Sequence, residues 1–417
     1  MDRRQFIKTA GASALSFNLP FNAMASSLDF KQTPGSAKNL IYLYMGGGMS
    51  HMDTFDHKGS HKNQGPVKAI KTRAQEVEIS EFLPLTAEHT DKMAIVNSMT
   101  STAGAHAQGN YFMHTSYEMR STIQHPGIGA WFQKFHGKLN KTLPGSVFVG
   151  GNSRTFGNRG FFEPEYAPLS ISSPEAGLKN AKNPYFEDKE FHRLTSLTNE
   201  LDEKFMKDFE LDSTQSAVST YREAMDLMSS PDLAAFKLDN VTEKDKTMYG
   251  DNNFGMGCLL AKRLVQKGIR TVEVSLGGWD THSNNFDRVS LNTNTLDKAY
   301  SALLSDLEES GMLKDTLVVL ATEFGRTPKI NVNDGRDHYP KAFSCVLAGG
   351  PVRGGQKYGM TSEDGTTAVK DAVKIPDFNA TIAKALGMPW QQQLFSPSKR
   401  PFKVAHRGKP VDALLTI

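Results

Sequence analysis

The stretch that decides the fold reads Asn39-Leu40-Ile41-Tyr42-Leu43-Tyr44-Met45 and continues with Gly46-Gly47-Gly48. Its almost continuously apolar character is typical of a strand buried on both faces, and the glycines predict a tight loop directly after it. Further short β-rich runs are found at residues 93–97, 146–150, 271–276, 316–321 and 343–348.

Between these runs lie segments whose apolar residues recur three and four positions apart, notably 253–267 and 296–309. Such spacing predicts amphipathic helices. Strands that alternate with helices indicate an α/β fold, a three-layer sandwich with a mainly parallel central sheet covered on both faces. In sheets of this kind ligands bind beyond the carboxyl ends of the strands, so the residues just after each strand are the candidates for chemistry.

The sequence also predicts how the chain is divided into a linker, a domain and an insertion within that domain. Residues 26–38 form a polar linker, and residues 39–417 are predicted to form a single domain. Within that domain, residues 152–251 are rich in Pro, Asn, Ser and charged residues, which favours a cap or insertion over the sheet. The formal net charge of +3 in a chain of 417 residues gives no indication of a nucleic-acid partner.

The N-terminus carries the features of a twin-arginine export signal over residues 1–25. Arg3-Arg4 precede a weakly apolar stretch, and Ala23-Met24-Ala25 provides a small-x-small cleavage site. The expected partner is therefore the twin-arginine translocation machinery, and the expected location is the periplasm or the medium. No later segment has the roughly 18 apolar residues of a membrane helix, so no stable membrane insertion is expected after cleavage.

Polar clusters follow three of the predicted strands, and a fourth cluster follows in a loop. They read Ser50-His51-Met52-Asp53, Gly277-Gly278-Trp279-Asp280-Thr281-His282, Glu323-Phe324-Gly325-Arg326-Thr327 and Arg336-Asp337-His338-Tyr339-Pro340. Carboxylates with imidazoles and without thiolates suit Zn²⁺, Mn²⁺ or a similar divalent ion. Each cluster alone is also explained as a turn in which Asp caps a helix and Gly adopts a positive φ. Their coincidence at successive strand ends favours a site, and Asp280 and His282 face the same side of an extended segment.

The same motifs, in this order, closely resemble an exported family known as the domain of unknown function 1501. Gly46-Gly47-Gly48-Met49-Ser50-His51-Met52-Asp53 begins the match, and Gly354-Gly355-Gln356-Lys357-Tyr358-Gly359 extends it. The resemblance covers nearly all of the chain after the linker. The family is similar to a branch of the alkaline-phosphatase superfamily, which also contains arylsulfatases and phosphonate-ester hydrolases. The resemblance therefore implies an alkaline-phosphatase-like fold.

The resemblance further implies a metal-dependent hydrolase of phosphate, sulfate or related esters, acting on a small-molecule or polymer ester substrate. One or two divalent ions, Zn or Mn, would occupy the carboxyl edge of the sheet. The ligands that it implies are Asp53, Asp280, His282, Glu323 and His338, with Asp337 as a further ligand or as an acceptor that orients His338. Arg326 or Arg336 would hold the oxyanion of the substrate, because guanidinium offers a planar fork of donors.

The chain departs from the superfamily pattern at two positions. Phe324 stands where many relatives carry a metal-binding histidine after the acidic residue. His106 stands where the nucleophile is usually found, and it is predicted to lie in the metal pocket as a ligand, a nucleophile or a proton donor. Ser50 is the alternative nucleophile after the first strand, and residues 100–102 offer further hydroxyls.

Two other classes of function remain open at this point. A non-catalytic binding or assembly protein that retains the fold is favoured by Phe324 and His106, although the density of Asp and His residues argues against it. A redox protein has little support, because the chain has no dinucleotide fingerprint and only two cysteines, Cys258 and Cys345.

Overall fold

The computed structural model describes residues 33–150, 158–178, 188–208 and 212–417. The predicted signal peptide and residues 26–32 of the linker lie outside these ranges. The strands in the described part are β1 Asn39–Met45, β2 Ala69–Lys71, β3 Glu78–Ser80, β4 Met93–Thr100, β5 Ser146–Val149, β6 Leu169–Ile171, β7 Thr271–Leu276, β8 Thr316–Ala321, β9 Gly325–Arg326, β10 His338–Tyr339, β11 Phe343–Gly349, β12 Gln356–Tyr358, β13 Met360–Thr361, β14 Ala368–Lys370, β15 Val373–Lys374, β16 Leu394–Phe395 and β17 Pro401–Phe402.

The helices alternate with these strands over most of the chain. They are α1 Pro84–Ala87, α2 His106–Thr115, α3 Ile128–His136, α4 Asp188–Asp208, α5 Asp212–Ser229, α6 Glu243–Tyr249, α7 Asn253–Gln266, α8 Asn285–Glu309 and α9 Ile375–Ala385. No helix in the described ranges combines the length and the apolar character needed to cross a membrane.

The central sheet has the strand order β12-β4-β11-β8-β1-β7-β5-β6, and β15 also pairs with β4. Every pairing in it is parallel except the two that β11 makes, with β8 and with β4. The predicted α/β class with a mainly parallel sheet is confirmed. Because β4, β8, β1 and β7 run in the same direction, their carboxyl ends meet at one edge.

Strand β1 lies in the middle of the sheet, and both of its faces are covered. All of its residues are buried. Ile41, Leu43 and Met45 pack into one apolar core with residues of α7 and α8, whereas Leu40 and Tyr42 belong to a second core that includes residues of α3 and α9. The alternation of side chains along a strand separates the two cores, and it produces the predicted three layers.

Two features of the architecture differ from the sequence-based expectations. The apolar run at 343–348 forms β11, which is antiparallel to both of its neighbours. Within the segment 152–251, predicted as a cap or insertion, Leu169–Ile171 adds β6 to the sheet edge beside β5. The division of the chain into linker, domain and insertion is not decided by these features and stays a prediction.

Candidate metal centre

The glycine loop after β1 brings three strand ends together. Gly47 has a φ of +119°, and a Cβ atom on it would lie 2.5 Å from the backbone nitrogen of Asp280. The conformation and the close contact both require glycine. The N–H of Gly47 donates to Glu323 Oε1 at 2.8 Å. The loop after β1 therefore contacts the segments that follow β7 and β8.

A short antiparallel ladder positions the fourth cluster. β9 and β10 pair so that His338 lies opposite Arg326 and Tyr339 opposite Gly325. The segment that contains His338 is predicted as a loop, but this pairing ties it to the residues just after β8. This pairing places the His338 ring at the same edge as Asp280.

Three imidazoles at this edge each direct Nδ1 to an oxygen acceptor. His106 Nδ1 lies 2.8 Å from Glu323 Oε1, and His282 Nδ1 lies 2.7 Å from Asp337 Oδ1. His338 Nδ1 lies 2.9 Å from the carbonyl oxygen of Gly104. Because carboxylate and carbonyl oxygens accept, each Nδ1 carries the proton, and the lone pair of a neutral ring is then on Nε2.

The three Nε2 atoms converge on one carboxylate. Asp280 Oδ1 lies 3.0 Å from His282 Nε2 and 3.3 Å from His338 Nε2, and Asp280 Oδ2 lies 3.4 Å from His106 Nε2. His282 Nε2 and His338 Nε2 are 3.1 Å apart. Ligand atoms of His106, Asp280 and His338 all lie within 4.8 Å of one another and form a group that could hold an ion. We call His106, Asp280, His282 and His338 the histidine cluster.

The electrostatics of the histidine cluster keep its carboxylate ionised. Partial burial raises the pKa of Asp280, but the hydrogen bond and charge of Arg326 together with the neighbouring imidazoles outweigh it, and the pKa falls to about 2. The hydrogen bond to Glu323 raises the pKa of His106. Burial lowers the pKa of His338, which favours the neutral ring that a metal ion requires.

Glu323 is held from several sides and is itself fully buried. Besides His106 and Gly47, it accepts a hydrogen bond from Tyr44 Oη at 2.9 Å and one from Thr322 Oγ1 at 3.2 Å. Its carboxylate therefore has little freedom to turn toward an ion. In this structure Glu323 orients His106 rather than joining the group of converging ligand atoms.

Two arginines near the histidine cluster are both fully buried. Arg326 directs its guanidinium to the carbonyls of Gly47, Gly48 and Arg336 and places Nη2 2.5 Å from Asp280 Oδ1. Arg336 is fully buried and uses all of its N–H groups on Asp53 and on backbone carbonyls. The expectation that Arg336 could hold a substrate oxyanion is therefore wrong for this structure.

The remaining predicted site residues divide into two groups. His106, Asp280, His282, Glu323, Arg326, Asp337 and His338 are joined by the contacts above, and their chemical roles stay predictions. Asp53 lies apart from them, because Arg336 and Asn285 take its carboxylate oxygens at 2.8–3.1 Å. Ser50 is buried, 1% exposed, and its Oγ has no hydrogen-bond partner among the described residues. That burial closes Ser50 to a substrate in this conformation.

Sequence reasoning missed two contributors to the site. Tyr44 places its hydroxyl group between Glu323 and Asn110. The sequence feature that could have indicated this role is a hydroxyl-bearing side chain at the penultimate position of an otherwise apolar strand. The carbonyl of Gly104, which receives His338 Nδ1, has no side-chain signal at all.

Comparison with solved structures gives matches of low sequence identity and low structural similarity. A sulfatase from Pseudoalteromonas sp. is 11% identical with a TM-score of 0.43, and the match covers 85% of this chain and 68% of that chain. The lipoteichoic acid synthase of Listeria monocytogenes is 9% identical with a TM-score of 0.41, covering 87% and 74%. A phosphonate monoester hydrolase from Silicibacter pomeroyi is 10% identical with a TM-score of 0.36, covering 91% and 76%.

Sequence comparison gives a more definite result. No curated protein sequence matches the chain significantly. Residues 37–415, however, match the family described as "Protein of unknown function (DUF1501)", which is nearly all of the chain after the predicted linker. The chain therefore belongs to the DUF1501 family.

Proposed function

We propose that this protein is an exported hydrolase of phosphate, sulfate or related esters that holds one divalent metal ion in the histidine cluster. One observation carries the proposal. Three imidazoles each donate from Nδ1 to an oxygen and turn Nε2 toward the carboxylate of Asp280. Metal-binding histidines in proteins are oriented in this way, by a carboxylate or carbonyl that accepts their second N–H.

The residues present fit a metal ion. His106 Nε2 is buried and has no hydrogen-bond partner among the described residues. His282 Nε2 and His338 Nε2 face each other at 3.1 Å, although each carries a lone pair when the ring is neutral. A cation between His106, Asp280 and His338, whose ligand atoms all lie within 4.8 Å of one another, would satisfy these three residues, and His282 Nε2 lies beside them. Three imidazole nitrogens and one carboxylate oxygen suit Zn²⁺ better than Mn²⁺, which prefers oxygen ligands.

The surroundings of the histidine cluster suit an anionic substrate. Helix α2 begins at His106, and its N-cap residue, Ala105, makes no side-chain hydrogen bond to the first turn. The free N–H groups of that turn attract anionic oxygens. A bound divalent ion would supply Lewis acidity and an ionised water as nucleophile. The protein would supply ligand orientation through Glu323 and Asp337.

Metal content and ester hydrolysis test the proposal directly. The mature protein, purified without chelators, is expected to contain about one equivalent of zinc by mass spectrometry, and chelation should abolish its activity. Activity is measured on p-nitrophenyl phosphate, bis-p-nitrophenyl phosphate, p-nitrophenyl sulfate and a phenylphosphonate ester, with Zn²⁺ or Mn²⁺ added to the stripped protein.

A matched pair of aspartate variants identifies the site. Asp280→Asn should lower metal affinity and reduce kcat/KM on the best ester by about 100-fold or more, because it removes the charge at the centre of the histidine cluster. Asp287→Asn, at an exposed position in the first turn of α8, should change neither. Full metal content and activity in Asp280→Asn would contradict the proposal.

A second candidate is a binding or assembly protein that keeps the fold without turnover. Phe324 favours this candidate, because it places an apolar ring where many relatives carry a metal-binding histidine. The ring is fully buried, and its centroid lies 5.1 Å from that of the His106 ring and 4.8 Å from that of the His338 ring. A stoichiometric metal content without hydrolysis of any ester in the panel would support this second candidate.

A further inference from the structure

A polar cavity, separate from the histidine cluster, lies at the β4 side of the sheet. It has a volume of about 320 Å³, and none of its lining residues belongs to the histidine cluster. The lining residues are Asp56, Asn97, Lys357, Tyr358, Gly359, Met360, Lys370 and Asp371. Three of them come from the Gly-rich stretch 354–359, which the proposed hydrolase chemistry does not use. A volume near 300 Å³ is at the small end of pockets that bind organic ligands.

Asp56, the buried acid that lines this cavity, already has a charged partner and further hydrogen-bond donors. Asp56 Oδ1 accepts from Lys58 Nζ at 3.0 Å and from Asn97 Nδ2 at 3.2 Å, and Asp56 Oδ2 accepts from Thr361 Oγ1. Asn97 in turn accepts from Ser344 Oγ at 3.1 Å. The charge of Asp56 is therefore matched by Lys58, and its oxygens have donors on two sides.

The ammonium of Lys357 has no direct partner in the described part of the chain. It lines the cavity on β12, is partly buried, and has no hydrogen-bond or ion-pair partner in the described ranges. Burial lowers the pKa of Lys357, the charge of Asp56 opposes this effect without cancelling it, and the charge of Lys58 lowers the pKa further. An unpaired, partly buried cation costs free energy in the folded protein, and an anionic oxygen in the cavity would recover it.

We propose that this cavity binds a hydroxylated monoanion of monosaccharide size, with its anionic oxygens on Lys357 and its hydroxyl groups at the rim. Lys370 and Asp371 are both exposed at the cavity and supply a second cation and a hydrogen-bond acceptor. Charge alone would be met by an inorganic ion, whereas the combination of cations and an acceptor selects an anion that also carries hydroxyl groups. The proposal is independent of the hydrolase activity.

Calorimetry on the full mature protein tests the ligand class with three probes. D-glucuronate carries both the charge and the hydroxyl groups, D-glucose carries the hydroxyl groups only, and inorganic sulfate carries the charge only. Glucuronate is expected to bind at least about tenfold more tightly than either of the others. Equal binding of sulfate and glucuronate, or no binding of glucuronate, overturns the proposal.

Substitutions then assign the binding to the cavity. Lys357→Met should weaken glucuronate binding by at least about tenfold, while Lys357→Arg, which keeps the charge, should retain most of it. Lys409→Met, at an exposed lysine elsewhere, and Asp280→Asn, in the histidine cluster, should leave glucuronate binding unchanged. Loss of binding in Asp280→Asn would assign the ligand to the histidine cluster and overturn the proposal.

Thermal unfolding separates this role from a structural one. Since the ammonium has no partner, Lys357→Met should unfold at the same temperature as the parent protein or higher. If Lys357→Met is less stable and still binds glucuronate, the lysine supports the fold and the proposal fails. Lys357→Gln gives a second uncharged variant in case the methionine does not fold.

Discussion

His106 Nδ1 lies 2.8 Å from Oε1 of Glu323, and the Glu323 side chain is fully buried. A half-buried residue at the start of a helix is thus fixed by a buried acid at the edge of the sheet. Tyr44, Thr322 and the N–H of Gly47 hold that acid in turn. The orientation of one proposed ligand is consequently set by β1 and β8, the two most central strands.

The first prediction concerns this orienting contact. Glu323→Gln keeps the size of the side chain but weakens the acceptor for His106, so metal affinity should fall about 10–100-fold. Competition with a chromophoric chelator measures the change. Glu363→Gln, an exposed control, should have the affinity of the parent protein. An unchanged affinity in Glu323→Gln would show that His106 needs no orientation by Glu323.

The second prediction separates Asp53 from the metal. Asp53 and Arg336 form a fully buried pair, with Arg336 Nε 2.8 Å from Asp53 Oδ2, so Asp53→Ala leaves an uncompensated cation inside the protein. We expect a loss of about 3–5 kcal/mol in the free energy of unfolding, measured in urea, with metal content per folded molecule unchanged.

An exposed ion pair provides the control for Asp53→Ala. Asp412 accepts from Lys384 at 3.0 Å with 73% of its side chain exposed, and Asp412→Ala should cost no more than about 1 kcal/mol. If Asp53→Ala loses the metal and keeps its stability, Asp53 is a ligand after all.

The third prediction concerns pH and a histidine outside the cluster. His125 is buried, stacks on Tyr117 with ring centroids 4.1 Å apart, and places Nδ1 2.6 Å from Tyr111 Oη. Burial, assisted by the charges of Arg120 and His406, lowers its pKa to about 4. Between pH 6.5 and 4 the unfolded chain therefore binds more protons at this residue than the folded protein.

Stability should accordingly decrease as the pH falls from 6.5 to 4, and the contribution of His125 to that decrease is at most about 3 kcal/mol. The measurement is the free energy of unfolding in urea at several pH values. His125→Gln cannot titrate, so its stability should depend less on pH across that window. Identical pH profiles for the two proteins would exclude His125 as the cause.

The fourth prediction concerns export, which the sequence alone supports. Replacing both Arg3 and Arg4 by lysine should retain the precursor in the cytoplasm of a bacterium that has the twin-arginine system. Fractionation and N-terminal sequencing measure the outcome, and the exported parent protein should begin at Ser26. An unchanged periplasmic yield of the double variant would rule out this route.

The parallel part of the sheet could be predicted because its strands are recognisable one at a time. Thr271–Leu276 and Thr316–Ala321 have the predicted bounds, since an apolar run between turn residues is a local signal. The direction of β11 could not be predicted, because a strand buried on both faces has the same composition whether its neighbours run parallel or antiparallel to it.

The candidate site was predictable to the same degree. Strand ends indicated which segments meet and pointed to Asp280, His282 and Glu323, and the cluster in the following loop pointed to His338. Which residue pairs with a given acid could not be predicted. Asp53 follows β1 just as Asp280 follows β7, but its carboxylate is taken by Arg336, a residue far along the chain, and no local pattern indicates that pairing.

The reversal of β11 has a consequence for how this part of the protein can vary. Because β8 ends and β11 begins at the same edge, the chain between them, residues 322–342, never has to return across the sheet. It supplies Glu323, Arg326, Asp337 and His338 from one continuous excursion. Insertions at its exposed tip, around Val332, lengthen a surface loop at little entropic cost and leave every strand register intact. The loop beside the histidine cluster can therefore vary in length while the core of the protein stays the same.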